Sequence, residues 1–304
     1  MSRATVEETP TVQSSEEGQR SSTQSRSPRR KSQWVRLGLL TAGALAFLFP
    51  FYYMLVGSLQ EDPNPSLSGA FPNPSNVTLD NYQAINSSIS LARSLVNSGI
   101  FTGGVLLGTL VFGLLAGYAL AVLHWRGRGA VFAALVLVQI IPFQLLMIPL
   151  YVMIVRTYGL ADSYLGMIFP FAINSVAVLI FRQFFLALPK DLFEAARIDG
   201  ASELKILWRI AIPLAKPAIL TAVILTFIGP WNEFLWPFLV TKDQDLQPLA
   251  VSLANYISNL AGRAANPFGA ILAGACVLAA PAVAVFLAFQ RHFTSSDLGS
   301  GVKG

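Results

Sequence analysis

Polar residues are scarce in the apolar parts of this chain, and Glu233 is the clearest exception. It lies in an otherwise uncharged run as part of Trp231-Asn232-Glu233-Phe234, with Trp236 close behind. A carboxylate within lipid is costly unless it is paired, protonated or facing water. We therefore expect Glu233 to be a functional residue, together with its neighbours Trp231, Asn232 and Trp236. The alternative is that Glu233 lies near the outer rim of the membrane, where its charge costs less.

The second group of polar residues is a charged segment, residues 189–212, between two apolar runs. Its pattern predicts two short helices. Asp191 is a candidate N-cap, with Glu194 three residues later as in a capping box. Gly200 suits the left-handed turn that ends the first helix, and Ser202 can cap the second. Pro213 is expected to stop that second helix. On physical grounds this helix pair lies either on anionic lipid or against a partner protein.

The sequence contains no pattern typical of a metal site, a nucleotide site or nucleic-acid binding. The chain has one cysteine, Cys276, and its two histidines, His124 and His292, lie far apart, so we expect no metal site. There is no phosphate-binding Gly-x-x-x-x-Gly-Lys-Ser/Thr loop, so we expect no nucleotide or other cofactor bound by this chain. The net charge of +5 does not imply nucleic acid, because basic residues in membrane proteins mostly mark the cytoplasmic loops.

The elements that position these groups are predicted from composition. Apolar residues make up 54% of the chain and charged residues 12%, and the charges cluster between long uncharged runs. This is typical of an all-α integral membrane protein with six transmembrane helices. The predicted spans are residues 37–58, 94–123, 130–155, 163–186, 214–240 and 267–290. They form one transmembrane domain, residues 34–290, with the charged segment between helices 4 and 5.

The two ends of the chain are predicted to be tails. Residues 1–33 are rich in Ser, Thr, Glu, Gln and Arg, which favours a disordered tail. The apolar stretch from Leu37 to Val56 is too long for a signal peptide and should remain as an anchor. Residues 291–304 form a short C-terminal tail. Between the first two spans, residues 60–93 are dense in Pro, Asn and Ser, and two Pro-Asn-Pro sequences exclude regular helix around them.

The orientation follows from the basic residues. With both termini in the cytoplasm, 17 of the 21 Lys and Arg residues fall on the cytoplasmic side and four fall outside: Arg93, Arg156, Lys242 and Arg263. The chain is therefore predicted to be a multi-pass membrane protein with both termini in the cytoplasm.

The second predicted span carries six glycines in three small-xxx-small pairs, Gly99/Gly103, Gly104/Gly108 and Gly113/Gly117. Such pairs let helix backbones approach closely in lipid. Packing within the bundle is the favoured interpretation, and a contact between subunits is the alternative.

The charged segment also resembles a known family. Glu194-Ala195-Ala196, then Asp199-Gly200-Ala201, then Ile210-x-x-Pro213-Leu214 is similar to the EAA loop of ABC importer permeases. In that family the loop forms a coupling helix that docks into a groove on the cytoplasmic ATPase. Residues 188–201, the sequence around Glu233 and the C-terminal Gly301-Val302-Lys303-Gly304 resemble the carbohydrate branch, the permeases of maltose-type importers. The resemblance covers residues 37–304.

The resemblance implies a permease subunit of a bacterial-type cytoplasmic (inner) membrane rather than an enzyme, forming half of the pathway for a sugar or sugar-like solute. That pathway would be lined by Trp231, Asn232, Glu233 and Trp236, because amides and carboxylates bind sugar hydroxyls and indole rings pack on the apolar face of a sugar. The partners would be a second permease in a heterodimer, two ATPase subunits that use ATP and Mg, an external solute-binding protein and membrane lipid. The residues implied in ATPase coupling are Glu194, Ala195, Ala196, Asp199, Gly200, Leu204 and Leu207. Val302 and Lys303 are implied in a contact between the C-terminal tail and the ATPase.

Three alternatives remain at this point. The solute could be a polyol or a glycerol phosphate instead of a sugar. A secondary transporter would carry internal repeats and several ionisable residues at the midplane, and neither is visible. A membrane enzyme would need a nucleophile, a base or a metal site within the spans, and none is apparent.

Overall fold

Helices account for the regular structure of the computed structural model, which describes residues 29–260, 262 and 267–296. In chain order the α-helices are α1 (Arg29–Ser58), α2 (Asp80–Ile89), α3 (Leu91–Ala121), α4 (Arg128–Val138), α5 (Phe143–Tyr151), α6 (Tyr164–Ile168), α7 (Ser175–Ala187), α8 (Lys190–Ile198), α9 (Glu203–Ile206), α10 (Ile212–Leu214), α11 (Lys216–Asn232), α12 (Leu235–Val240), α13 (Leu249–Asn255) and α14 (Pro267–Ser296). Wider π-helical turns occupy Val152–Thr157, Leu207–Ala211 and Tyr256–Leu260.

Three of these helices are each long and apolar enough to cross a membrane: Gln33–Ser58 of α1, Leu91–Ala121 and Pro267–Gln290 of α14. Three further pairs meet the same criteria only jointly, because each is sharply bent. The pairs are Arg128–Val138 with Phe143–Thr157 (101°), Tyr164–Phe171 with Ser175–Ala187 (48°) and Glu203–Leu214 with Lys216–Asn232 (76°). By length and composition, the described part of the chain therefore offers three spans, or up to six if each bent pair is one span.

Breaks interrupt three of the six predicted spans. Pro142 is the N-cap of α5, with an extended backbone that interrupts the predicted third span. The fourth breaks before α7, where the Asn174 side chain accepts hydrogen bonds from the backbone N–H groups of Val176 and Ala177. The fifth predicted span consists of α11 and α12, separated at Glu233, whose backbone is extended.

Two boundaries near the N-terminus also differ from expectation. Helix α1 begins at Arg29, inside the segment predicted as a disordered tail, and residues 1–28 lie outside the described part. The predicted loop 60–93 contains a helix, α2, which follows the prolines and packs on α14. Before α2, the loop forms short 3₁₀ turns at Leu67–Ala70 and Pro74–Asn76.

The chain divides into two units, Met1–Phe49 and Pro50–Gly304. In the first, the described side chains from Gln33 onward are exposed. In the second, α3 is the central helix and packs mainly on α7 and α11. A cluster at the end of α3 near Ala121, called the inner cluster here, holds buried residues of α3, α7, α8, α9 and α11. Its largest members are Tyr118, Phe181, Phe185, Phe193, Ile206 and Leu207.

Glycines let α3 and its neighbours approach closely within this chain. A Cβ on Gly117 would lie 2.6 Å from Phe181 Cβ and 3.0 Å from the backbone N of Arg182. A Cβ on Gly108 would lie 2.8 Å from Ala172 Cβ. Gly103 has nothing within 4 Å of such an atom. The favoured interpretation of the glycine pairs, packing within the bundle, therefore describes Gly104, Gly108, Gly113 and Gly117, but not Gly99 or Gly103.

At its other end α3 is tied to the connection before α13. Arg93 forms an ion pair with Asp245 (Nη1–Oδ1 3.1 Å). The Asn97 amide donates to the backbone oxygens of Asp245 and Gln247, and Tyr164 donates to Asn97 Oδ1 at 2.7 Å. Loops predicted to share the outer side thus meet in space.

Candidate functional site

The charged segment forms the helix pair that its sequence predicts, with two changes in detail. Gly200 has φ +77° and follows α8, and the Ser202 hydroxyl accepts a hydrogen bond from the backbone N–H of Lys205 at 3.4 Å. Both roles were predicted. Asp191 is not the N-cap of α8: that position belongs to Pro189, which has no side-chain acceptor, and Asp191 lies in the first turn. The second helix ends at Leu214, one residue beyond the stop predicted at Pro213.

One face of this segment is buried in the inner cluster. Phe193 and Ala196 of α8 are 4% and 8% exposed, and Leu207 is 2% exposed. The ring of Phe193 meets the ring of Tyr118 edge-on, with centroids 6.1 Å apart. Leu207 was expected to present apolar surface to the ATPase. The structure instead buries it inside its own chain, and Ala196 likewise, so neither is available to a partner.

The opposite face is exposed and carries the remaining predicted coupling residues, Glu194, Ala195, Asp199, Gly200 and Leu204. It also carries two large apolar side chains outside the predicted coupling set, Ile198 and Trp208. Ile198 is 86% exposed, Trp208 64% and Leu204 62%. We call Ile198, Leu204 and Trp208 the apolar face. Large exposed apolar groups beside charged ones are typical of an interaction surface. The spacing of Leu204 and Trp208, four residues apart on one helix, was a usable signal.

A polar tie that was not predicted holds this segment to α3. Arg197 and Glu203, on either side of the Gly200 turn, form an ion pair (Nε–Oε1 2.7 Å). The other oxygen of Glu203 accepts a hydrogen bond from the hydroxyl of Tyr118 at 2.7 Å. The hydrogen bond from Arg197 lowers the pKa of Glu203, partial burial acts in the opposite direction, and the Tyr118 bond lowers it further. The carboxylate therefore stays charged at neutral pH.

The residues predicted to line a solute pathway separate into two kinds. Trp231 is buried and its indole N–H donates to the backbone oxygen of Leu278 in α14 at 2.9 Å. Trp236 is fully buried, and its indole N–H donates to the backbone oxygen of Gly166 at 3.1 Å. Both indoles therefore act in helix packing, and the expectation that they line a pathway does not fit their burial.

The polar pair between the two indoles is more accessible. Asn232 is exposed, and its amide donates to the backbone oxygen of Ile228 at 3.0 Å. Glu233 is half-buried at the break between α11 and α12, where one carboxylate oxygen accepts a hydrogen bond from the backbone N–H of Trp236 at 3.2 Å. A single local bond leaves the other carboxylate oxygen open to further interactions. Glu233 and Asn232 are thus the pathway candidates that the geometry retains.

The predicted contact of the C-terminal tail cannot be placed, because Val302 and Lys303 lie outside the described residues. Within residues 29–260, 262 and 267–296, no group of three His, Cys, Asp or Glu residues could hold a metal ion.

Sequence comparisons match this chain to transport proteins. The family described as binding-protein-dependent transport system inner membrane component matches residues 109–296. The arabinooligosaccharides transport system permease protein AraQ of Bacillus subtilis (strain 168) is 35% identical over 269 residues, covering 86% of this chain and 92% of that protein. The melibiose/raffinose/stachyose import permease protein MelC of the same organism is 34% identical over 285 residues, covering 92% of this chain and 100% of that protein.

A solved structure agrees with these matches. A chain from the crystal structure of a bacterial ABC transporter involved in the import of the acidic polysaccharide alginate superposes with a TM-score of 0.76. It is 25% identical in sequence, and the match covers 87% of this chain and 97% of that chain.

Proposed function

This chain belongs to the binding-protein-dependent transport system inner membrane component family, and on that premise we propose that it forms half of the pathway through which an ATP-driven importer takes up an oligosaccharide. It is a carbohydrate-type ABC importer permease, a transport component rather than an enzyme. The observation that supports an oligosaccharide is that two relatives above 30% identity, each aligned over most of its length, are named for oligosaccharide transport.

The proposed arrangement has six spans, three of them broken, with both termini and the segment 189–212 in the cytoplasm. The excess of basic residues on that side supports this orientation. The partners would be a second permease, two ATPase subunits that bind ATP and Mg, an external solute-binding protein and lipid.

The ATPase would dock on the exposed side of the helix pair. The apolar face (Ile198, Leu204 and Trp208) offers the surface to bury, and Glu194 and Asp199 offer charged groups at its edge. Interfaces of this kind place large apolar side chains at the centre and polar groups at the rim. The buried side of the same helices packs on α3 and α7, so a displacement of the docked face would be carried into those spans.

On the outer side, solute from the binding protein would enter beside the break between α11 and α12. Glu233 and Asn232 would contact its hydroxyl groups there, because carboxylate and amide groups can both form hydrogen bonds with them. Broken helices at a membrane-depth site expose backbone groups that a solute can use.

The test is reconstitution of the complete importer, with uptake of arabinotriose, raffinose and sn-glycerol 3-phosphate compared. Uptake of either saccharide that needs both ATP and the binding protein is the expected result. Uptake of only glycerol phosphate would contradict the oligosaccharide assignment. Activity of this chain without ATPase subunits would contradict the importer mechanism.

A pair of glycine variants tests the docking segment. Gly200 and Gly159 both have positive φ (77° and 65°) and open space around the missing Cβ, so valine imposes a similar backbone strain at each. Gly200→Val should reduce ATPase co-purification at least tenfold, whereas Gly159→Val, on the predicted outer side, should leave it close to wild type. Equal losses in both would show that strain alone, and not the docking segment, is responsible.

A further inference from the structure

A cavity of about 130 Å³ lies beside the coupling segment, where α3 ends, α4 begins and α7 passes into α8. Basic groups from two separate parts of the chain line it: His124 and Arg128 around the start of α4, and Lys190 and Arg197 in α8. Glu194 is the single carboxylate in the lining. We call this the basic cavity.

The pairing of these groups leaves positive charge in the cavity. Arg197 is already bonded to Glu203, and Arg128 donates one guanidinium N–H to the backbone oxygen of Leu123 at 3.1 Å. Among the described residues, the Lys190 ammonium has no ion-pair or hydrogen-bond partner. With Arg197 neutralised by Glu203, Arg128 and Lys190 against Glu194 leave one more positive than negative charge, before His124 is considered. An anion is the ligand that this lining favours.

The rest of the lining is apolar and indicates what kind of anion would fit. Phe185, Leu186 and Leu188 at the end of α7 line the cavity together with the last residues of α3. A compact inorganic ion gains nothing from such walls, whereas a phosphate ester attached to a hydrocarbon chain does. The cavity also lies at the end of two predicted membrane spans, the depth at which phospholipid headgroups lie.

A further cation sits one helical turn deeper. Arg182 is four residues before Leu186 on α7, and its guanidinium carbon lies 4.0 Å from the centroid of the Phe132 ring of α4. Its Nε–H is buried without a hydrogen-bond partner. A charged group in that position is stabilised by negative charge nearby, and a phosphate in the basic cavity would supply it.

We propose that the basic cavity binds the phosphate group of an anionic phospholipid from the cytoplasmic leaflet. The phosphate interacts with Lys190 and Arg128, and the lipid's glycerol and acyl portion packs on the apolar end of α7. The site does not depend on which solute the importer carries. Because Glu194 and Arg197 belong to the docking segment, a bound lipid would also brace α8 against α4 and α7.

The experiment measures lipid retained by the complete importer complex after extraction into a non-ionic detergent, using native mass spectrometry. The complex is equilibrated with vesicles of phosphatidylglycerol, with vesicles of phosphatidylcholine, or with inorganic phosphate alone. The wild-type complex should retain phosphatidylglycerol in preference to phosphatidylcholine. Lys190→Gln should weaken retention about fivefold, the effect expected for one cation beside an anionic headgroup.

The matched control is Lys205→Gln, which removes the same charge from the same segment at an exposed position that does not line the cavity. It should retain phosphatidylglycerol as the wild type does. Arg128→Lys keeps the charge and should also retain it, which guards against misfolding as the cause of any loss. Equal retention of both lipids, or an equal loss in the Lys205 variant, would overturn the proposal. Displacement of phosphatidylglycerol by inorganic phosphate would overturn the lipid assignment.

Discussion

Individual contacts fix the docking segment to the membrane helices, and the most informative one is the Tyr118–Glu203 hydrogen bond. The two residues lie 85 positions apart, so nothing local in the sequence relates them. By contrast, the Gly200 turn and the Ser202 cap were predictable because their causes are local: a left-handed backbone and an orphan helix N–H. The burial of Leu207 and of both pathway indoles was not predictable, because it depends on which helix packs behind each of them.

Removing the Tyr118 hydroxyl should loosen the docking segment without disturbing the core. Tyr118→Phe keeps the ring that packs on Phe185 and Phe193 and deletes only the bond to Glu203. Because Glu203 is partly exposed, the expected loss is about 1 kcal/mol. Amide hydrogen exchange in α8 and α9 should become faster. Tyr158→Phe, an exposed tyrosine on the predicted outer side, is the control and should change neither quantity.

The charge of Glu203 predicts a pH dependence. Its pKa is lowered from the ordinary value of 4.5, chiefly by Arg197. A lowered pKa means that the tie contributes its full stability above the unfolded-state pKa and loses it as the pH falls through the lower folded-state pKa. Exchange protection of α8 and α9 should thus be flat from pH 7 to about 5 and fall only in more acidic solution. Glu203→Gln should lack this acidic step; a step of the same size in that variant would assign it to another group.

Among the helices, the apolar runs are helical as predicted, but the positions of their breaks could not be read from the runs themselves. Runs of uncharged residues report where a chain can enter lipid, whereas breaks depend on whether neighbouring groups can satisfy the freed backbone. Pro142 coincides with a break, but Pro50, Pro230 and Pro281 all lie inside continuous helices. The presence of proline therefore did not determine which spans would be broken.

The glycine contacts of α3 lead to a paired prediction. Gly117→Ala places a Cβ 2.6 Å from Phe181 Cβ and 3.0 Å from a backbone nitrogen, so α3 and α7 must separate, at a cost of about 1–3 kcal/mol. Gly103→Ala, in the same helix, meets nothing within 4 Å and should be neutral or slightly stabilising. Thermal unfolding in detergent measures both. Similar melting temperatures for the two variants would contradict close packing at Gly117.

At the scale of the whole molecule, much of the apolar surface of the described residues is exposed. None of the α4 residues is buried, and the side chains of α1 from Gln33 to Phe49 are exposed. From the family membership we expect lipid and a second permease to contact these exposed surfaces of α1 and α4. Composition alone predicted a membrane protein. It could not show which helix faces stay exposed after folding, because that depends on tertiary packing.

The orientation is testable with single cysteines. Cys276→Ser removes the chain's one cysteine, after which Ser88→Cys and Lys205→Cys each introduce one exposed thiol. In intact cells a membrane-impermeant maleimide should label Ser88→Cys and spare Lys205→Cys, which should react only after permeabilisation. Labelling of Lys205→Cys in intact cells would reverse the proposed topology and place the docking segment outside.

The π-helical turn at Leu207–Ala211 bears on how this chain tolerates changes in its length. Such a turn holds more residues than an α-helical turn of the same rise, so it accommodates an additional residue without shifting the helix that follows. A one-residue deletion within it can be absorbed by conversion to ordinary α-helix, which leaves Ala215 and α11 in register. The same deletion within α3 would rotate every later residue of that helix by about 100° and turn its glycines away from α7. Protein engineers who shorten this permease should therefore begin at residues 207–211.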